Sequence, residues 1–134
     1  MAKTEIRVIY GDTDQMGVVY YANYLRFFES ARAAYWRSLG RTHKDLDAWG
    51  VALPVVEASC RYKRPARYED LLEIEISISE LRNASMRFAY VVWRGTDVLA
   101  DGMTRHAVVG TDGRPRGLPE PLRAAIATVA PPGG

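Results

Sequence analysis

The sequence predicts an α+β fold in which a curved antiparallel sheet of about five strands wraps one long helix. Three observations predict it: a strand-like pattern at the start, helical spacing over residues 21–39, and period-two alternation over residues 51–109. The 134 residues, of which 48% are hydrophobic, supply enough apolar material for one core. We therefore expect a single domain over residues 1–134.

The first two elements are a strand and the helix. Alternation over residues 4–10 predicts a half-buried strand that ends in a turn at residues 11–12. Apolar side chains then recur at helical spacing over residues 21–39, which predicts one long helix. Gly40 offers the left-handed conformation that stops a helix, and Asn23 is a candidate cap at its start.

A polar connector over residues 41–50 separates the helix from a long segment of strand character. The four strands predicted there cover residues 51–63, 71–81, 85–94 and 98–109. Pro65 bounds the first of them, and residues 95–97 form a hairpin turn between the last two. The second strand has four apolar residues on one face and four polar ones on the other: Leu72, Ile74, Ile76 and Ile78 against Glu73, Glu75, Ser77 and Ser79.

The chain ends with a turn at residues 111–113, a short helix over residues 119–129, and a tail over residues 130–134 that we expect to be disordered. The long helix is apolar over much of its circumference, and a flat sheet cannot cover so wide a surface. Either the sheet curls around the helix or a second subunit completes the burial. Both arrangements favour a homo-oligomer.

Composition excludes several classes of partner and compartment. The net charge is only +2 and the arginines are spread along the chain, so nucleic acid is not the expected partner. Cys60 is the single cysteine, which rules out an intramolecular disulfide and a multi-cysteine metal site. No apolar run reaches membrane-spanning length, so we expect no membrane insertion, no secretion and a cytoplasmic protein.

Common catalytic signatures are missing from the sequence. It contains no nucleophile elbow, dinucleotide-binding glycine motif, phosphate-binding loop or zinc-protease helix. Two histidines are available as bases, but His43 lies in the polar connector and His106 in a predicted strand. Neither is near a cluster of polar residues, so we interpret both as ordinary surface or sheet histidines.

The segment between the first strand and the helix has the most unusual composition. It combines Asp12, Thr13, Asp14 and Gly17 just ahead of a helix N-terminus, where free amide groups stabilise negative charge. Such an amide suits the oxygen of an ester or thioester carbonyl under attack, and a nearby carboxylate can attack or activate water. The alternative is that both aspartates are only turn and cap residues.

The same segment resembles the active-site signature of the 4-hydroxybenzoyl-CoA thioesterase group of the hotdog superfamily, which includes bacterial acyl-CoA thioesterases associated with the Tol-Pal system. The residues that carry the resemblance are Arg7-Val8, Gly11-Asp12-Thr13-Asp14, Gly17-Val18-Val19-Tyr20-Tyr21, Asn23-Tyr24 and Phe28-Glu29, with a similar proline turn at residues 64–70. The resemblance implies a hotdog fold, assembly as dimers that pair into tetramers, and hydrolysis of an acyl-coenzyme A thioester. It also implies no metal and no cofactor beyond the coenzyme A that is part of the substrate.

The resemblance assigns roles to particular positions. Asp14 matches the catalytic aspartate, and Tyr21 matches the position whose backbone amide polarises the thioester carbonyl. In the Tol-Pal-associated members that position is commonly histidine, so its replacement leaves Asp14 as the sole evident catalytic side chain. Asp12 is expected to shape the loop. The predicted substrate contacts are Gly17, Tyr24 and Phe28 near the acyl group and Arg82 and Asn83 near the nucleotide phosphates, with Arg61, Lys63 and Arg64 as an alternative phosphate group.

Three other functions compete with thioester hydrolysis. A hotdog hydratase or dehydratase would pair an aspartate with a histidine at the helix entry, and no histidine lies near Asp14. A non-catalytic acyl-CoA sensor would carry a DNA-binding segment ahead of the domain, for which the early first strand leaves no room. A scaffold with a decayed site is disfavoured because both Asp14 and Gly17 are retained.

Overall fold

The computed structural model describes residues 2–40 and 43–129. The elements, in chain order, are β1 (Ala2–Arg7), α1 (Asn23–Ser38), α2 (His43–Ala48), β2 (Val51–Ala52), β3 (Val55–Tyr62), β4 (Leu71–Leu81), β5 (Ser85–Arg94), β6 (Asp97–Ala107), β7 (Val109–Gly110) and α3 (Glu120–Val129). Five strands form an antiparallel sheet in the order β1-β4-β5-β6-β3, and β2 pairs with β7 in a separate ribbon. The predicted α+β arrangement of one long helix and a five-stranded antiparallel sheet is confirmed.

The central strands follow the predicted alternation. In β4 and β5 every second side chain is buried, because successive residues of a strand point to opposite faces of the sheet. The buried residues are Leu72, Ile74, Ile76 and Ile78 in β4 and Met86, Phe88, Tyr90 and Val92 in β5. This apolar face receives the long helix.

Helix α1 buries six side chains against the sheet: Tyr24, Phe27, Phe28, Ala31, Tyr35 and Trp36. The ring of Phe28 stacks on that of Tyr90, with centroids 4.1 Å apart. Gly102 of β6 makes room for this contact, since a side chain there would collide with the Phe28 ring. The helix stops at Gly40, whose φ of +72° is the left-handed conformation predicted for it.

Several boundaries differ from the prediction. The connector contains the short helix α2, which Leu46 anchors in the core. The strand predicted over residues 51–63 is split at Pro54, because proline has no N–H for the ladder. Asn23 is the first residue of α1 rather than its cap, and the residue before it makes no side-chain cap. The predicted tail lies outside the described residues.

The first strand also ends earlier than predicted. β1 stops at Arg7, and a 3-10 turn follows over Tyr10–Asp12. Beyond Arg7, Val8 hydrogen-bonds to the turn ahead of β4, since its N–H donates to the Asp70 carbonyl and its carbonyl accepts the Glu69 N–H, and the N–H of Ile9 then donates to the Asp12 carboxylate. In the part of the chain that the structure describes, no helix has the length and apolar character needed to cross a membrane.

Candidate active site

Asp12 holds the loop between β1 and α1 in shape. Its side chain is buried, and one carboxylate oxygen accepts the N–H of Ile9 at 3.0 Å while the other pairs with the guanidinium of Arg26. Its carbonyl oxygen accepts the N–H of Tyr20 and the side-chain amide of Asn23, both at 2.9 Å. With both carboxylate oxygens occupied, Asp12 has the loop-shaping position expected for it.

Asp14 lies in a tight turn two residues later. Its N–H donates to the carbonyl of Val18 at 2.9 Å, and its carbonyl accepts the N–H of Gly17 at 3.0 Å. Gly17 has a φ of +80°, which few other residues adopt, so the turn depends on glycine there. Gly17 was predicted to contact substrate, but it does not line the cavity described below.

The Asp14 carboxylate accepts hydrogen bonds through only one of its two oxygens within the described residues. Oδ1 accepts the N–H of Met16 at 2.9 Å and that of Val18 at 3.4 Å. Oδ2 accepts no hydrogen bond from any residue in the described ranges. The side chain is thus oriented by its own loop and keeps one oxygen available.

Asp14 lines a cavity of about 340 Å³ between the loop, the start of α1 and the end of β3. The lining residues are Asp14, Val18, Val19, Tyr21, Tyr24, Tyr62, Lys63, Arg64 and Pro65. Three residues predicted for the site therefore meet in one place: Asp14, Tyr21 and Tyr24. The cavity joins a carboxylate, aromatic walls and two basic side chains.

Free amide groups lie at the start of α1. The N–H of Asn23 donates to the Tyr20 carbonyl at 2.9 Å and that of Tyr24 to the Tyr21 carbonyl at 3.3 Å. Within the described residues, the N–H groups of Tyr21 and Ala22 donate to no acceptor. Unpaired amides at a helix N-terminus carry partial positive charge, so they suit an anionic oxygen.

Tyr62 reaches this helix end from the sheet. Its hydroxyl donates to the Tyr21 carbonyl at 3.0 Å, and its ring meets that of Tyr24 edge-on at 5.1 Å. Burial, with a smaller contribution from Cys60, raises the pKa of Tyr62 to about 12. Tyr62 was not predicted as a site residue, because nothing in the local sequence marks a strand residue that contacts a loop 41 residues away.

Three predicted substrate contacts, Phe28, Arg82 and Asn83, lie elsewhere. Phe28 is fully buried and stacked on Tyr90, so its ring belongs to the core and does not line the cavity. Arg82 and Asn83 follow β4, whereas the loop of Asp14 lies near the opposite end of that strand, beside Arg67. Eleven strand residues separate the two ends by about 35 Å, so these residues cannot reach the cavity of their own protomer.

The alternative basic group is closer to the cavity. Lys63 and Arg64 line it, and each has an acidic neighbour, Asp101 at 2.9 Å and Asp97 at 3.4 Å. Both side chains remain more than half exposed, so both are accessible to an anion in solvent. Arg61 does not line the cavity.

His106 and Cys60 lie outside the cavity lining. His106 is buried in β6, where burial lowers its pKa, and it contacts Thr104 and the Leu53 carbonyl. His43 begins α2, and its side chain is outside what the structure describes. Cys60 is a half-buried free thiol whose pKa is raised by burial. Over residues 2–40 and 43–129, no cluster of three or more potential metal-ligating side chains is found.

Comparison with known proteins adds a family to this geometry. Residues 16–100 match the model of the thioesterase superfamily. The acyl-CoA thioesterase YbgC of Haemophilus influenzae is 36% identical over 123 residues, which are 90% of this chain and 90% of that protein. The 1,4-dihydroxy-2-naphthoyl-CoA hydrolase of Synechococcus elongatus is 36% identical over 121 residues, 87% of this chain and 89% of the relative.

The fold agrees with solved structures as well. The crystal structure of a 1,4-dihydroxy-2-naphthoyl-CoA thioesterase from Synechocystis superposes with a TM-score of 0.87 at 26% identity, covering 96% of each chain. The expected hotdog fold is therefore confirmed.

Proposed function

This chain belongs to the thioesterase superfamily, and on that premise we propose that it hydrolyses the thioester bond of an acyl-coenzyme A. The products are a free acid and coenzyme A. One observation carries the proposal: Asp14, whose Oδ2 accepts no hydrogen bond within the described residues, and Tyr21, whose amide is unpaired there, line the same cavity. A carboxylate and an amide donor around one space are what attack on a carbonyl requires.

Asp14 supplies the attacking chemistry in this proposal. Its Oδ2 either attacks the thioester carbon directly, forming an acyl-enzyme anhydride, or takes a proton from a water that attacks. In the first route coenzyme A leaves as the thiolate, which takes a proton from solvent, and water then hydrolyses the anhydride to the free acid and restores the carboxylate. In the second route water adds to the carbonyl carbon, the sulfur–carbon bond breaks, and the proton that Asp14 took passes to the departing sulfur. The hydrogen bonds to Oδ1 fix the side chain beforehand, so little orientation entropy is lost in the reaction.

The amide of Tyr21 receives the developing charge. As the carbonyl carbon becomes tetrahedral, its oxygen becomes negative and gains more from an N–H donor than the ground-state carbonyl does. The side chain of Tyr21 is not needed for this step. Tyr24 and the aromatic ring of Tyr62 form the apolar wall of the same cavity.

The coenzyme A part of the substrate needs basic side chains that bind its phosphates. We assign Lys63 and Arg64 to the phosphates of coenzyme A, because both are basic, accessible and at the cavity. Arg82 and Asn83 contribute only if another subunit brings them to this cavity. No metal and no additional cofactor takes part in the proposed reaction, and we propose a cytoplasmic location.

We further propose a homo-oligomer, with dimers that pair into tetramers. Strand β3 is at the edge of the sheet, and its outer side has no strand partner within the described residues. Two of its apolar side chains, Val55 and Val56, are 46% and 60% exposed. A free edge with exposed apolar residues is a template for pairing with a second chain.

The test is a hydrolysis screen over aromatic, short-chain and long-chain acyl-CoA esters that detects the released thiol. We expect Asp14→Asn to lower kcat at least about a hundredfold while the protein stays folded, because one oxygen atom is replaced and the turn is retained. Tyr21→Phe should cost far less, since its contribution comes from the backbone.

Asp112→Asn is the matched control. The Asp112 carboxylate also accepts a hydrogen bond two residues along its own turn, from the Arg114 N–H at 3.0 Å, but it is not part of the cavity lining. It should retain wild-type activity. If the wild type binds acyl-CoA and releases no thiol from any ester, the protein is a non-catalytic sensor or scaffold and the proposal fails.

A further inference from the structure

The Tyr21 carbonyl, just ahead of α1, accepts a hydrogen bond from a side chain of the sheet. Tyr62, the last residue of β3, donates its hydroxyl hydrogen bond to the Tyr21 carbonyl at 3.0 Å. The other hydrogen bond to that carbonyl comes from the Tyr24 N–H within the same turn and is longer, at 3.3 Å. The hydroxyl of Tyr62 therefore makes the shorter contact and the one that comes from another element.

This contact fixes the orientation of a peptide group. The carbonyl of Tyr21 and the N–H of Ala22 belong to one planar unit, so holding the oxygen sets the direction of the N–H. The preceding unit, which contains the Tyr21 N–H, is held through the Tyr20 carbonyl by the Asn23 N–H at 2.9 Å. The two unpaired amides thus have separate anchors, and one of them is Tyr62.

We propose that Tyr62 is a positioning residue that holds the Tyr21 carbonyl, and so fixes the peptide unit that follows the Tyr21 amide at the cavity. This inference rests on the proposed function, in which the Tyr21 amide receives the oxyanion: with the next peptide unit held by Tyr62 and the preceding one by the Asn23 N–H, the Tyr21 amide is fixed from both sides. Tyr62 acts through the helix end, and its hydroxyl is directed to the carbonyl.

Two further observations support the role. The Tyr62 ring is braced edge-on by Tyr24 at 5.1 Å and lies 6.4 Å from the Tyr21 ring, so its direction is restricted. The phenol also stays protonated over the range in which enzymes are assayed, because its pKa is raised to about 12, mainly by burial. Only the protonated hydroxyl can donate to a carbonyl.

Tyr62→Phe isolates the hydroxyl, since the ring and its packing remain. We expect kcat to fall about tenfold, because a small misplacement of an oxyanion donor weakens transition-state binding. KM should stay within about twofold and the melting temperature close to that of the wild type, because the substrate loses no contact. Tyr68→Phe is the matched control: Tyr68 is 54% exposed and outside the cavity lining, and its variant should keep wild-type kcat.

A measurement without substrate completes the test. In ¹⁵N-labelled protein, the amide resonances of Tyr21 and Ala22 should shift or broaden in Tyr62→Phe and stay in place in Tyr68→Phe. Unchanged amide resonances would overturn the inference, and so would an unchanged kcat in an active enzyme. A raised KM at constant kcat would also overturn it, because Tyr62 would then bind substrate directly.

Thioester hydrolysis and the positioning role of Tyr62 are tested independently of each other. A wild type that hydrolyses no thioester contradicts the proposed function, and the amide resonances alone then decide whether Tyr62 orients the helix end.

Discussion

At the scale of single residues, a buried chain of hydrogen bonds runs from Arg32 to the Leu53 carbonyl. Arg32 contacts the Tyr90 hydroxyl at 3.1 Å, Tyr90 contacts Thr104 at 2.6 Å, Thr104 contacts His106 Nε2 at 2.8 Å, and His106 Nδ1 lies 2.9 Å from the carbonyl. Every proton along the chain is used in a hydrogen bond when Arg32 donates to Tyr90, Tyr90 to Thr104, Thr104 to His106 Nε2, and His106 Nδ1 to the carbonyl. In this arrangement His106 is the neutral imidazole, which agrees with the lowering of its pKa by burial.

The neutral state of His106 in the folded protein predicts how the free energy of unfolding depends on pH. Burial lowers the pKa of His106, so below about pH 6.5 the unfolded chain binds a proton that the folded protein does not. The contribution of His106 to stability is therefore complete above that pH and is lost as the pH falls from there towards the lowered pKa. Urea unfolding at fixed protein concentration between pH 5 and 7.5 measures it.

The variants of the two histidines separate this effect from other titrations. His106→Gln should be less stable at neutral pH but should lose part of the pH dependence, whereas His43→Gln should keep the wild-type dependence. Equal slopes for wild type and His106→Gln would contradict the assignment.

The residues of the candidate site were predictable to different degrees. Asp12 and Asp14 stand out in the sequence. Which of them shapes the loop and which is available to substrate depends on the hydrogen bonds to each carboxylate oxygen, and the sequence does not show these. Phe28 was misplaced because an aromatic helix residue looks the same whether it faces core or ligand. Tyr62 was missed because its contact is made across the fold.

At the scale of elements, β6 carries a glycine beneath an aromatic ring of α1. Gly102 lies between Tyr90 of β5 and Cys60 of β3, and the Phe28 ring occupies the space above it. A Cβ at Gly102 would be 2.7 Å from the nearest ring carbon and closer still to the Ser59 carbonyl oxygen. The missing side chain is what lets helix and sheet approach each other here.

Gly102→Ala should therefore destabilise the protein by about 1–3 kcal/mol, the usual cost of overfilling a packed core. Gly11→Ala is the control, since a Cβ there meets no atom within 4 Å and Gly11 lacks a positive φ. It should change stability by less than about 0.5 kcal/mol. Chemical denaturation of both variants gives the comparison, and equal midpoints would contradict the packing argument.

The elements with strong periodicity were the ones predicted well. Apolar and polar residues alternate in β4 and β5, and apolar residues recur at helical spacing in α1. These patterns are visible in the sequence because one face of each element is buried. Helix α2 has six mostly polar residues, too few for a period to be visible. The split at Pro54 sends β2 into its own ribbon with β7, which is a pairing that local sequence does not encode.

At the scale of the whole molecule, the unpaired edge of β3 predicts self-association. We expect light scattering to give a dimer or tetramer for the wild type. Val56→Lys should shift the population towards smaller species, because it places a charge at the exposed edge.

Leu71→Lys is the comparison variant, since Leu71 is 42% exposed on β4, which is three strands away from β3 in the sheet. It should keep the wild-type mass. A monomeric wild type, or equal effects of the two lysines, would contradict association through β3.

The turn at Asp14 also bears on how such a site can be transplanted. Every hydrogen bond that orients the carboxylate comes from amides within four residues of it, so the attacking group is specified by one short continuous peptide. At the start of α1, by contrast, the Tyr21 carbonyl is held by a tyrosine from a distant strand. Grafting residues 12–18 onto another strand-to-helix junction would carry the carboxylate geometry with it, whereas this support of the helix end would have to be rebuilt from the recipient's own sheet.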